Sequence, residues 1–155
     1  MSWLRLRPGL LPGTALRGFE RLDEDGTLHR LSDYAGRWLL LFFYPQDNSP
    51  GCIREACRFN DDLELFHALG AEVLGCSGQD AASHRLFRQA CRLRYRLLSD
   101  PGRVLREAWQ APHMLRLVDG RCSYLVVPQG ILRWVHHGPR PEEHPALALE
   151  ALRKL

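Results

Sequence analysis

Two cysteines stand five positions apart, Cys52 and Cys57, in the run Pro45-Gln46-Asp47-Asn48-Ser49-Pro50-Gly51-Cys52-Ile53-Arg54-Glu55-Ala56-Cys57. The run directly follows Trp38-Leu39-Leu40-Leu41-Phe42-Phe43-Tyr44, the most apolar stretch of the chain. A buried strand therefore ends in a Pro/Gly/Asn turn, and a thiol stands where the next helix begins. A helix N-terminus offers partial positive charge and free backbone N–H groups, which favour thiolate over thiol. A thiolate with a second thiol nearby is the equipment of redox chemistry, and a Pro-Gly turn is a poor place to bury an inert sulfur.

The spacing also limits that chemistry. On one intact helix five residues advance about 7.5 Å and turn about 140°. The two Cα atoms would then lie roughly 8–9 Å apart, beyond the ~7 Å reach of a disulfide. Either the pair never forms or the first turns of the helix unwind. Pro50 and Gly51, poor helix members at a terminus, favour unwinding. The order of events would be attack of Cys52 on an electrophilic oxygen, a sulfenic acid, condensation with Cys57 and reduction by an external dithiol.

The other cysteines read differently. Cys76 and Cys122 fall in strand patterns as small buried hydrophobes, and Cys91 lies near a helix end. Zinc would want C-x2-C or H-x3-5-H spacing, which is missing; the adjacent His136 and His137 point to opposite faces of a strand. No zinc site is expected. Most of the other histidines read as surface or turn residues. Missing C-x2-C also counts against a thioredoxin-type exchanger.

The elements that must position Cys52 emerge from pattern. Two short strands over Phe19–Leu31 flank the turn Asp25-Gly26, and Ser32–Gly36 connects them to a central strand, Arg37–Tyr44. Past the turn, Phe59, Leu63, Phe66 and Leu69 predict one helical stripe ending at Gly70. Ala71–Ser77 reads as a strand. Asp80 and Ser83 offer N-caps for a helix to about Cys91. Ser99-Asp100-Pro101 opens a helix toward Trp109, with Asp100 as cap. Pro112–Asp119 is the least regular segment, a loop expected near the site. Gly120–Val127 and Ile131–His137 predict a hairpin about Pro128-Gln129-Gly130, and a last amphipathic helix starts at Pro141-Glu142-Glu143. Alternating strands and helices imply an α/β fold, a mixed β-sheet flanked by helices.

At 155 residues, without a repeat or a long linker, the chain is expected to be one domain over 1–155, with 1–15 as an N-terminal extension. Of 21 basic residues only Lys154 is a lysine. The arginines are spread along the chain and make no nucleic-acid-binding patch. No apolar run approaches the ~20 residues of a membrane span. Arg5, Arg7 and Pro8 interrupt what could otherwise be a secretory signal. Five cysteines without an export signal suggest a reducing compartment, by default the cytoplasm.

These residues together resemble the peroxiredoxins of the Q type, also called bacterioferritin comigratory proteins. The likeness runs from about Phe19 to the C-terminus. It is carried by Asp25-Gly26, Leu31-Ser32-Asp33-Tyr34, Phe43-Tyr44-Pro45, Asp47–Cys52, Glu55-Ala56-Cys57-Arg58-Phe59, Gly70-Ala71-Glu72-Val73, Ser83-His84, Leu97–Asp100 and Gly120-Arg121. The resemblance implies a thioredoxin-like fold and an antioxidant peroxidase acting on hydrogen peroxide and organic hydroperoxides, without haem or metal. It would be recycled by thioredoxin or a similar dithiol. By position, Cys52 would be the peroxidatic and Cys57 the resolving cysteine, joined in the oxidised form by a disulfide. Ser49, where threonine is more usual, would bond the peroxide; Pro45 would shield the pocket; Arg121 would stabilise the thiolate and the charge developing on oxygen. A monomer or weak dimer is expected. Two other activities fit the same fold: a thiol–disulfide oxidoreductase and a non-enzymatic holdase.

Overall fold

The computed structural model describes residues 9–111, 113–114 and 118–155, with backbone alone at 113, 114 and 118. The strands are β1 (Glu20–Leu22), β2 (Leu28–Arg30), β3 (Trp38–Phe43), β4 (Ala71–Ser77), β5 (Arg96–Ser99), β6 (His113–Met114), β7 (Val118–Asp119), β8 (Cys122–Val126) and β9 (Leu132–His137). The helices are α1 (Pro50–Asp61), α2 (Leu63–Ala68), α3 (Ala81–Cys91), α4 (Val104–Ala108) and α5 (Glu143–Arg153).

A five-stranded mixed sheet, in the order β5-β4-β3-β8-β9, carries the fold. Its strands β3, β4 and β5 are parallel, whereas β8 and β9 are antiparallel to their neighbours. The unbroken apolar run of β3 is explained by its central place. Leu40, Phe42 and Tyr44 enter one core with Phe59, Phe66, Phe87 and Leu149, from α1, α2, α3 and α5. The alternate residues Leu39, Leu41 and Phe43 enter a second core with Phe19, Tyr34, Trp109 and Tyr124. With both faces covered, no position of the strand can be polar. Phe42 stacks on Phe59 at 4.3 Å between centroids, which seats α1 on the sheet.

The hairpin β1–β2, the central strand, β4 and the β8–β9 hairpin fall where the pattern predicts them. Four local expectations need correction. The stripe read as one helix to Leu69 is two helices: Asp62 adopts φ −92°, ψ 2° and closes α1 while opening α2. Leu69 lies past the helical residues and is exposed. Ser83 is not a cap but gives its backbone N–H to the cap, Asp80, at 2.9 Å. Asp100 does not start a continuous helix, because Gly102 and Arg103 turn to positive φ and delay α4 to Val104. The Asp100 carboxylate instead accepts from the N–H groups of Leu105 (2.8 Å) and Arg106 (3.0 Å). Strand β5 was hidden in the sequence: four residues, Arg-Leu-Leu-Ser, are too few to show a period.

The irregular loop expected over Pro112–Asp119 lies largely outside the described residues; β6 and β7 pair antiparallel within it. Part of the expected N-terminal extension is held by the β8–β9 hairpin. Gly13 N–H donates to the Leu132 carbonyl at 2.7 Å, and Leu16 N–H to Gly130 at 3.1 Å.

Candidate active site

The strand-to-helix turn after β3 is fixed by a buried carboxylate. Asp47 accepts from the Tyr44 hydroxyl at 2.7 Å and the Ser83 hydroxyl at 2.8 Å, and its Oδ2 lies 2.7 Å from His84 Nδ1. The other nitrogen of His84 reaches the Leu98 carbonyl at 3.0 Å. One residue thus ties the turn to β3, α3 and β5. Asn48 comes next at φ 64°, a left-handed conformation that asparagine tolerates. Ser49 then caps α1 in extended geometry, and Pro50, which has no N–H to leave unsatisfied, takes the first helical position.

Cys52 is the third residue of α1. The first helical bond is Ile53 N–H to the Ser49 carbonyl at 2.9 Å, so the N–H groups of Gly51 and Cys52 have no partner inside the helix. This is the helix-terminus placement the sequence implied. The turn read as a poor place to bury a sulfur nonetheless buries it: Cys52 is only 1% exposed. Tyr44, Ala56 and Phe59 belong to the same core and close it off.

Arg121, just before β8, reaches this sulfur. Its Nη1 lies 3.4 Å from Cys52 Sγ and 3.2 Å from Glu55 Oε1. Register accounts for the approach, because Cys122 pairs with Phe43 and the strand end of β8 therefore lies beside the turn leaving β3. Gly51 is a glycine for the same reason. A Cβ there would come within 2.5 Å of Arg121 Nη2 and 3.2 Å of Pro141 Cγ.

Beneath the pair lies a buried polar network that sequence reasoning missed. Glu55 has no exposed surface, and burial outweighs the adjacent guanidinium, lifting its carboxyl to about 8. Its Oε2 has no hydrogen-bond partner. His144 Nδ1 lies 3.9 Å away but is engaged with Ser123 Oγ at 2.8 Å, and Nε2 with the Gly138 carbonyl at 2.9 Å. Burial drives His144 down to about 4, so near neutral pH it is uncharged and the 3.9 Å approach is no ion pair. His84 and His144 depart from the surface or turn placement read for most histidines: both are fully buried. The signal that could have found Glu55 is its spacing, one helical turn after Cys52 and so on the same side.

The remaining expected residues are placed less tightly. Ser49 turns its hydroxyl to the Gln46 carbonyl at 3.3 Å. Pro45 lines a cleft of about 480 Å³ with Gln46, Gln79, Asp100 and Arg103, to which neither Cys52 nor Arg121 contributes. Cys57 is half-buried, and all five cysteines are free thiols. Cys76 and Cys122 are buried strand residues, as read, and burial raises both thiols, Cys122 to about 12.

An ionisable sulfur at a helix N-terminus, with a guanidinium on it and a second thiol further along α1, can reduce a peroxide. The AhpC/TSA family model matches residues 12–135. The chain belongs to the AhpC/TSA family, among the Q-type peroxiredoxins. The chloroplastic peroxiredoxin Q of Oryza sativa subsp. japonica is 38% identical over 145 residues, which cover 92% of this chain and 67% of that protein. The structure of a cysteine-to-serine mutant of Xylella fastidiosa PrxQ superposes with a TM-score of 0.87 at 27% identity, covering 94% of this chain and 96% of that one. A bacterioferritin comigratory protein of Xanthomonas campestris, described with trapped intermediate and ligand complexes and an alkyl peroxide reduction activity, gives 0.83 at 27% identity over 88% and 90% of the two chains. The thioredoxin-like architecture and the thiol-dependent peroxidase activity expected from sequence both stand. Among the described residues no helix is long and apolar enough to cross a membrane.

Proposed function

We propose that Cys52 is the peroxidatic cysteine, Cys57 the resolving cysteine, and Arg121 the group that stabilises charge during O–O cleavage. The observation that carries this reading is the 3.4 Å contact of Arg121 Nη1 with Cys52 Sγ at the start of α1. As the Cys52 thiolate attacks the nearer peroxide oxygen, an S–O bond forms and the O–O bond breaks. Negative charge spreads to the departing oxygen, which leaves as hydroxide or alkoxide and takes a proton. Fixed donors, the Arg121 guanidinium and the free N–H groups of Gly51 and Cys52, lower the barrier without reorganising. Ser49 joins them if its hydroxyl leaves the Gln46 carbonyl for the peroxide, and Pro45 walls the approach.

Cys52 sulfenic acid then condenses with Cys57, water leaves, and a disulfide forms. The helical spacing demands that the first turns of α1 open for this step. A dithiol, thioredoxin or a similar protein, supplies the two electrons that restore both thiols. Substrates are hydrogen peroxide and organic hydroperoxides; alkyl peroxide reduction by the Xanthomonas relative supports the second class. We read the chain as a single domain with its first fifteen residues as an extension, acting as a monomer or weak dimer in the cytoplasm, a reducing compartment in which cysteines serve as thiols.

The test is peroxide consumption with a thioredoxin system. Activity is expected to vanish in Cys52→Ser and to be lost after one turnover in Cys57→Ser. Undiminished peroxide reduction by Cys52→Ser would sink the assignment.

A further inference from the structure

The proposed mechanism uses two of the five cysteines and leaves Cys91, the last residue of α3, without a role. Cys57 is its neighbour across the α1–α3 packing; burial, then that neighbour, push Cys91 up to about 12. The contact is held from both sides. Asn60, one turn beyond Cys57, donates to the Arg92 carbonyl at 3.2 Å and accepts from Arg94 N–H at 2.9 Å. Arg94 Nη2 donates to the Asn60 carbonyl at 2.8 Å, and the buried Tyr95 hydroxyl to the Ala56 carbonyl at 2.7 Å.

These bonds divide α1 into unequal halves. Residues 56–60 are stitched to the end of α3 and the segment leading into β5. The first turns carry Pro50 and Gly51, the contacts of Cys52 and Glu55 with the single side chain of Arg121 and, toward α5, the exposed, solvent-screened pair Arg54–Glu142. The opening required for a Cys52–Cys57 bond therefore falls on the first turns. Cys52 travels to Cys57, and Cys57 stays beside Cys91.

We propose that Cys91 is a third redox cysteine, which takes the disulfide over from Cys52. The proposal rests on the peroxidatic and resolving assignments above. Cys91 gives up its proton to solvent and attacks Sγ of Cys57; a Cys57–Cys91 bond forms, the Cys52–Cys57 bond breaks, and Cys52 departs as thiolate toward Arg121. The exchange consumes no electrons, because two oxidising equivalents move from one sulfur pair to the next. The influence of Cys57 that helps keep Cys91 protonated is removed at that moment, because a Cys57 already in a disulfide has no proton to lose. The first turns of α1 can then re-form while the protein is still oxidised. The reductant meets a bond between two half-buried sulfurs instead of one at the buried Cys52.

The experiment is a time course after one equivalent of peroxide, without reductant, quenched by alkylation and digested with trypsin. Cleavage isolates Cys57 in Glu55–Arg58 and Cys91 in Gln89–Arg92, apart from Cys52. The Cys52–Cys57 cross-link is expected first, then its replacement by Cys57–Cys91 with Cys52 alkylated. A second equivalent should then be consumed by the wild type and leave Cys52 as a dimedone-reactive sulfenic acid. Cys91→Ser, or Cys91→Ala if the serine variant misfolds, should stop at one equivalent with Cys52–Cys57 intact. If Cys52–Cys57 persists in the wild type with Cys91 alkylated throughout, the relay is wrong while the peroxidase assignment survives. A direct Cys52–Cys91 cross-link also overturns it. Unoxidised Cys52 defeats the underlying assignment and the relay with it.

Discussion

Arg121 Nη1 lies 3.2 Å from Oε1 of Glu55, a carboxyl with no exposed surface, while the same nitrogen serves Cys52 Sγ. The guanidinium is shared, and its division depends on whether Glu55 carries a charge. With Glu55 held up to about 8, the acid is mostly neutral near pH 7 and Arg121 is free to act on the sulfur.

Arg121→Lys should therefore lower the second-order rate constant with hydrogen peroxide on the order of a hundredfold. A lysine keeps the charge but has no planar fork to serve two acceptors at once. Stopped-flow fluorescence of single turnovers reads this directly, and a rate within twofold of wild type would contradict it.

Above about pH 8 Glu55 ionises and competes for Arg121. The wild-type rate constant should then fall relative to that of Glu55→Gln by roughly threefold to tenfold, the scale of a partly screened charge at this range. Parallel pH–rate profiles of the two proteins test this.

Stability should track the same group. The Glu55 carboxyl is raised from 4.5 to about 8, so between those values the folded protein keeps a proton that the unfolded chain has lost. Stability thus declines as pH rises through that window and levels off above it. His144, lowered from 6.5 to about 4, works in the opposite direction, adding stability as pH rises from about 4 to 6.5. Between about 6.5 and 8 only Glu55 of the two contributes, with a downward slope on the order of 1 kcal/mol per pH unit. Urea midpoints should fall across this interval in the wild type and stay flat in Glu55→Gln.

Gly51→Ala would place a methyl group 2.5 Å from Arg121 Nη2. Alanine is the better helix former, so the fold should survive while the guanidinium is displaced. A rate loss on the order of tenfold to a hundredfold is expected, with the thermal midpoint little changed.

Asp47→Asn should be costly to stability instead. An amide can accept through only one atom, whereas the carboxylate takes hydrogen bonds from Tyr44 and Ser83 and faces His84. A loss of about 2–4 kcal/mol is expected in urea unfolding.

The sequence by itself determined the strand–turn–helix that presents Cys52. An apolar run must be buried on both faces, a Pro-Gly pair must break it, and Ser49 can cap the helix beyond the break. These are local preferences, legible within a dozen residues. The five-residue interval from Cys52 to Cys57 is likewise local and carries its own geometric veto on an intact-helix disulfide. Arg121 was legible only through resemblance, because among so many arginines no short-range pattern distinguishes one. Its approach to Cys52, 69 positions away in the chain, depends on the register of β8 against β3. The burial and partners of Glu55, His144 and Asp47 were hidden for the same reason. A charged residue in a helical or turn pattern reads as solvated until tertiary packing removes the water and supplies, or withholds, its partners. Burial of the sulfur itself, the shared guanidinium and the meeting of Cys57 with Cys91 were decided only there, by which elements the sheet order brings side by side.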